Sequence, residues 1–329
     1  MNIPAVSVIM AVYNGERYLA EAVESIQAQT FTAFEFIIVD DASTDSTPDI
    51  LRRYALKDNR ITILTNEVNK ERSISRNRAI EQARSELIAV MDADDVSLPD
   101  RLEKQVAFMR EHNEVAVCGG AFASCDDPNE IWWPPTGHET IRARLLFVSC
   151  IAHPTVIYRK AAICVYANGY DASMPLAEDY DLWNRLSAVA GVRFANIPEP
   201  LLLYRGNNTA KNPQTSRRLI AAAKKVQQAA LARLGLICTE ADLERHWLTT
   251  GYEPQITSAQ LRSAKAWLLD ILQANKTAGI YDQNALLAEV LQRHAVLSEY
   301  RRNCARNPGP LRSRIKRRVK ECIMTLMHG

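Results

Sequence analysis

Apolar residues fall in short runs along the first third of the chain, and each run stops at a polar cluster. Residues 6–12 form the first run, broken by Asn14-Gly15, and Phe34 to Val39 form the second, ending at Asp40-Asp41. Residues 61–64, 87–91 and 115–120 are the third, fourth and fifth. Short β-branched runs of this kind read as strands buried on both faces. Between them the spacing turns helical, as with Tyr18, Leu19, Ala22, Val23 and Ile26. Pro48 and Asp49 suit a first helical turn capped by Ser43 or Asp45. Further helices are expected over 74–83 and, opened by Leu98-Pro99-Asp100, through His112. Strands alternating with helices predict right-handed βαβ units and an α/β fold on a mostly parallel sheet.

The alternation loosens after residue 120. Helices are expected over 137–147 and 180–189, with strand-like segments at 155–158 and 201–205. From about Pro213 the chain reads as helix over 216–234, 240–250, 258–275 and 284–305. Asn307-Pro308-Gly309-Pro310 is a break, and a last amphipathic helix is expected with Leu311, Ile315, Val319, Ile323 and Leu326 on one face. The expected domains are therefore 1–210, an α/β unit with halves at 1–120 and 121–210, and 211–329, a helical C-terminal extension.

Composition excludes several classes. With 47% apolar and 24% charged residues, the 329-residue chain can bury a large core. No apolar run is long enough to span a bilayer, and Met1-Asn2-Ile3-Pro4 runs into a strand without a signal-peptide pattern. Seven cysteines without a CxxC pair read as reduced thiols in a cytoplasmic protein. Charge is unevenly shared. Residues 1–205 carry 20 Lys and Arg against 29 Asp and Glu, whereas 206–329 carry 20 against 9. Nine of those basic residues fall within 300–320, where no acid occurs. A basic amphipathic end over 306–329 suits an anionic membrane surface, as a peripheral contact on the inner face of the cytoplasmic membrane, and equally a solvated helix. No nucleic-acid-recognition pattern accompanies it. A homodimer through the helical part stays open.

The chemistry concentrates at strand ends. Leu87-Ile88-Ala89-Val90-Met91 runs straight into Asp92-Ala93-Asp94-Asp95. Carboxylates this close repel one another unless a cation neutralises them. Oxygen ligands on a short loop suit Mn²⁺ or Mg²⁺ with a phosphate completing the shell. Asp40-Asp41 ends a parallel neighbour, so both clusters open on one sheet edge, where α/β folds bind nucleotides. Asp40 and Asp45 would also serve as turn and cap residues.

Five segments together carry a resemblance. They are residues 4–15 (PAVSVIMAVYNG), 36–45 (FIIVDDASTD), Arg76-Asn77-Arg78-Ala79-Ile80, Met91-Asp92-Ala93-Asp94-Asp95 and Glu178-Asp179-Tyr180-Asp181-Leu182-Trp183. In this order and spacing they closely resemble the family 2 inverting glycosyltransferases of GT-A fold, over roughly residues 4–205. The resemblance implies a Rossmann-like nucleotide-sugar domain and site roles by position. Ala11, Tyr13 and Glu16 would line the nucleoside pocket. Asp41, with Asp40, would bind the base or ribose. Arg76 would approach the nucleotide or its diphosphate, with Ser75 standing where the family has Ala. Asp92 would face the ribose and Asp94 the metal, with Asp92 a second ligand. Asp179, beside Glu178, would be the general base.

His153-Pro154-Thr155 resembles an acceptor-side element of that family, and a turn histidine is the plain alternative. Arg205 resembles the Arg that reaches the diphosphate, but Gly206-Asn207-Asn208-Thr209 lacks the histidine that often follows, leaving the third protein ligand of a metal open. Trp132 and Trp133 would stack on an acceptor sugar or pack a loop. The implied partners are a nucleoside-diphosphate sugar, a UDP-sugar by default, and a glycan or lipid-linked saccharide of the cell surface. Two rival readings exist. Asp92-Ala93-Asp94-Asp95-Val96 formally fits a haloacid-dehalogenase-like phosphatase with Asp92 as nucleophile, though three strands precede it. A non-catalytic sugar-nucleotide-binding protein would have no need of Asp94 and Asp179 together.

Overall fold

Strand β1 (Val6–Val12) lies between β2 (Phe34–Asp40) and β4 (Leu87–Val90), parallel to both, and β3 (Ile61–Thr65) continues the sheet beyond β2. The structure, a computed structural model, describes residues 3–206, 213–251 and 256–306. All seven residues of β2 are buried, including Glu35. This is why the strand lacks apolar–polar alternation: both sheet faces are covered, and Glu35 is matched by Ser7 Oγ at 2.6 Å and Arg84 Nε at 2.7 Å.

The alternating side chains of β1 feed two cores. Val8 and Met10 join the core beneath α1 (Leu19–Gln27), α2 (Thr47–Ala55) and α4 (Arg101–Glu111). Ile9 joins the opposite core, beneath α3 (Glu71–Gln82), α5 (His138–Leu145) and α6 (Glu178–Ser187). That second core continues through Leu219, Val226, Trp247 and Trp267 of the C-terminal helices α7 (Pro213–Arg233), α8 (Glu240–Thr249) and α9 (Ser258–Ala278). Helix α10 (Gln283–Arg306) packs on α5, where Arg144 Nε meets Glu289 at 3.0 Å.

The sheet departs from the expected succession of strands. Its order is β3-β2-β1-β4-β8-β6-β9-β5, with β7 (Ile131–Trp132) paired to β6 (Val115–Ser124). Strand β8 (Ile157–Arg159) enters antiparallel between β4 and β6. Strand β9 (Arg193–Tyr204) is far longer than the 201–205 segment expected, and runs parallel to β6. The edge strand β5 (Val96–Ser97) had no sequence signal. The expectation of a mostly parallel sheet holds, with three short antiparallel strands added.

Helix ends differ more usefully. Helix α3 starts at Glu71 rather than 74, and α6 starts at Glu178 rather than 180. Glu178 and Asp179 therefore belong to the first turn of a helix, not to the loop before it. Ser46 occupies the N-cap position of α2 without a capping bond, while Asp45 Oδ1 takes the Thr47 N–H at 3.0 Å. Cys118, Cys125, Cys150, Cys164 and Cys238 are free thiols. No helix among the described residues is long and apolar enough to cross a membrane. The basic segment expected to meet a membrane lies, from residue 307 on, outside the described residues.

Candidate active site

The ends of β1 and β2 are joined by a short ladder of loop contacts. Asn14 adopts φ 52° and Ala42 φ 63°, so both loops turn sharply at once. Asn14 N–H donates to Ser43 Oγ (2.9 Å), Thr44 N–H to Asn14 Oδ1 (2.8 Å) and Gly15 N–H to Thr47 Oγ1 (2.9 Å). Gly15 cannot carry a side chain without strain, because a Cβ there would stand 2.6 Å from Val12 Cγ2. Glu16 faces this ladder: its carboxylate accepts from Ser46 N–H at 3.0 Å. Asp40 is buried and accepts from Ser43 N–H at 3.1 Å. Asp41 is buried too, and its Oδ1 accepts from Asn66 Nδ2 (2.6 Å) and Lys70 N–H (2.9 Å).

A cleft of about 610 Å³ opens beside these loops, at the carboxyl end of β1 and β4. Ala11, Tyr13, Arg76, Asp92 and Asp94 line it. Tyr13 is half exposed. The acids after β4 divide in two directions. Asp95 is 1% exposed and turns back to accept from Arg205 N–H at 2.7 Å, fastening the loop to the end of β9. Burial, then the charges of Asp94 and Asp92, hold its carboxyl well above the usual range. Asp94 faces the cleft, where burial and then the Asp92 charge push it up to about 6. Two hard carboxylates in one cleft fit a divalent cation that takes its other ligands from phosphate and water. Among the described residues no group of three or more His, Cys, Asp or Glu is placed to hold a metal by itself.

Arg76 ties this loop to α6. It is 4% exposed, with Nη2 2.9 Å from Asp92 Oδ1 and Nη1 3.0 Å from Glu178 Oε1. The paired acids hold its charge despite burial. Arg72, one turn earlier on α3, meets the same Glu178 oxygen through Nε at 3.0 Å. Glu178 and Asp179 are both fully buried. Asp179 Oδ1 accepts from Tyr180 N–H at 2.6 Å, and Oδ2 has no hydrogen-bond partner. Burial, and after it the Glu178 charge, raise its carboxyl well above the usual range.

The remaining expected residues lie further out. His153 is buried, with Nε2 2.9 Å from the Tyr170 hydroxyl, and the Tyr170 ring stands 5.8 Å from the Arg76 guanidinium carbon. Arg205 pairs with Glu21 at 2.7 Å and lies over the Tyr18 ring at 4.1 Å. Trp132 belongs to β7 and stacks on Phe122 with ring centroids 5.1 Å apart. Trp133 is 56% exposed, and neither tryptophan lines the cleft. Further cleft-lining residues carry no motif signal in the sequence: Arg17, Tyr18, Arg72, Leu176 and the start of α7, where Thr215, Ser216 and Leu219 form one wall. Arg72 stands four residues before Arg76 and was detectable as its helical neighbour.

The description "Glycosyl transferase family 2" matches residues 7–166. The O-antigen biosynthesis glycosyltransferase WbnJ of Escherichia coli is 35% identical over 212 residues, 62% of this chain and 80% of that one. An uncharacterized glycosyltransferase of Methanocaldococcus jannaschii is 36% identical over 211 residues, 62% of this chain and 72% of its own. In structure, S. aureus TarS 1–349 in complex with UDP-GlcNAc superposes with TM-score 0.58 at 20% identity, covering 91% of this chain and 92% of that one. The mannosyltransferase PcManGT of Pyrobaculum calidifontis, solved with GDP-Man and Mn²⁺, gives TM-score 0.56 at 17% identity, over 100% and 86%. The chain belongs to glycosyltransferase family 2, and its fold is of the GT-A type.

Proposed function

We propose that this glycosyltransferase moves a sugar, with inversion, from a nucleoside-diphosphate sugar to a hydroxyl of a glycan or lipid-linked saccharide in cell-surface polysaccharide synthesis. The likeness to WbnJ supports the pathway class, and neighbours solved with UDP-GlcNAc and GDP-Man support the donor class. A UDP-sugar is the favoured donor. The phosphatase alternative is not favoured, because the family match runs through Asp92 on both sides.

The observation that carries this reading is Asp179. Its Oδ2 is a buried carboxylate oxygen without a partner, next in sequence to a glutamate that holds two cleft arginines. A carboxyl raised above its usual range is, once ionised, a stronger base than an ordinary carboxylate. In this reading Asp179 Oδ2 takes the acceptor's hydroxyl proton. The acceptor oxygen then bonds to the anomeric carbon from the face opposite the diphosphate, and the bond to the diphosphate breaks with its electron pair leaving on oxygen. Asp92 and Asp94 would hold Mn²⁺ or Mg²⁺, which supplies charge neutralisation at the leaving diphosphate. Ala11, Tyr13, Asp40 and Asp41 would define the nucleoside end, with Glu16 bracing the loop. Arg205 would guard the diphosphate side, and His153, Trp132 and Trp133 the acceptor side. Residues 1–120 would form the donor half, 121–210 the acceptor half and 211–329 the extension, whose basic end would meet the cytoplasmic face of a membrane.

Asp179→Asn keeps the shape and removes the base. Donor binding should persist while transfer falls by about a thousandfold. Turnover within tenfold of the unaltered protein would place the base elsewhere.

A further inference from the structure

Helix α3 presents two arginines to the cleft, and the structure uses them differently. Arg76 is 4% exposed and fixed at both ends of its fork, by Asp92 at 2.9 Å and Glu178 at 3.0 Å. Arg72 is 36% exposed and pairs with Glu178 Oε1 through Nε at 3.0 Å. Its two terminal nitrogens make no hydrogen bond among the described residues. The outer edge of its guanidinium is thus an open pair of donors on the cleft wall. That edge matches two oxygens of a phosphoryl group, and binds them best where water is partly excluded.

Glu178 is built to survive the loss of one partner. Both arginines share Oε1, and Oε2 has no hydrogen-bond partner. If Arg72 turns away, Arg76 still compensates the buried Glu178 charge. If Arg76 turned away, Asp92 would lose its partner as well. The two positions are therefore not equivalent, and only Arg72 can be exchanged at small cost.

We propose that Arg72 is an exchangeable anion clamp. It grips the phosphoryl oxygens of a nucleoside diphosphate in the cleft, while Arg76 stays fixed between Asp92 and Glu178. This rests on the nucleotide-sugar reading above. It adds a donor-binding residue whose resting partner is the residue next to the proposed base. Occupation of the cleft by a diphosphate then draws one positive charge off Glu178, beside Asp179.

The test is calorimetric titration of the full chain, and of Arg72→Gln and Arg72→Lys, with UDP and GDP and with uridine and guanosine, in Mn²⁺. For the diphosphate that the unaltered protein binds, Arg72→Gln should weaken affinity by about tenfold or more, as expected for a lost charged hydrogen bond. The matching nucleoside should bind all three proteins alike, and Arg72→Lys should recover only part of the loss. Diphosphate affinity within twofold of the unaltered protein would overturn the inference. So would an equal loss for the nucleoside, which means a distorted pocket. If the unaltered protein binds neither UDP nor GDP, the nucleotide-sugar reading itself fails and this inference with it.

Discussion

Trp267 Nε1 donates to Nδ1 of His246 across 3.0 Å in the interior of the C-terminal region. An indole N–H can only donate, so His246 must accept there and donate from Nε2 to Leu146 O, at 3.0 Å. The imidazole is held neutral, and burial pushes it down to about 4. Protonation would set two N–H groups against each other. Above about pH 6.5 the ring is neutral both folded and unfolded, and its titration has no effect. As pH falls from there to about 4, only the unfolded chain takes up the proton, and folding loses about 3 kcal/mol. Urea unfolding across this window should show that loss in the unaltered protein, and its absence in His246→Gln would assign it.

Asp179 titrates in the opposite sense. Its folded carboxyl is raised, so the folded state favours the neutral form. The associated stability is complete below the unfolded value of about 3.9 and is lost as pH rises through the folded one. Asp179→Asn should therefore unfold at a higher temperature than the unaltered protein at pH 8, and the gap should shrink toward pH 4. A gap independent of pH would show that the carboxyl ionises freely.

Asp94→Ala should remove the Mn²⁺ dependence of nucleoside-diphosphate binding while leaving the fold intact, since Asp94 is only partly buried. Titration with UDP or GDP in Mn²⁺ and in EDTA reads this directly. An unchanged ratio between the two conditions would take Asp94 out of the metal site.

Gly15→Ala places a methyl group 2.6 Å from Val12 Cγ2. Val12 is 3% exposed and β-branched, so it has little room to move. The expected cost is about 1–3 kcal/mol in unfolding free energy, by overpacking. Nucleotide affinity should fall as well, because Asn14 and Gly15 both line the cleft.

Sequence periodicity reveals what is local. The first four parallel strands, and the acids that end β2 and β4, were legible because buried strands of this kind read as unbroken apolar runs. The place of β8 was not, since a three-residue antiparallel strand between β4 and β6 depends on pairing with distant segments. The candidate site divides in the same way. Asp92 and Asp94 stand out in a single stretch of chain. The Arg76–Glu178 pair joins residues 102 positions apart, and only the fold brings them together. Glu16 shows the converse limit. The family resemblance implies a nucleoside-pocket role for it, and in the fold its carboxylate accepts from Ser46 N–H, a contact that no sequence pattern states. The C-terminal wall at Thr215, Ser216 and Leu219 gave no signal, because nothing in a helical periodicity states which distant cleft the helix start will meet.

That wall has a consequence for how such proteins diverge. The family match ends at residue 166, whereas Leu176, Thr215, Ser216 and Leu219 border the same cleft from beyond it. A hybrid that exchanged only the matched segment between two relatives would inherit one bank of the cleft and keep the other. Two chains could therefore share every acid at the strand ends and still differ in what the cleft admits, with the difference written in the segments that follow.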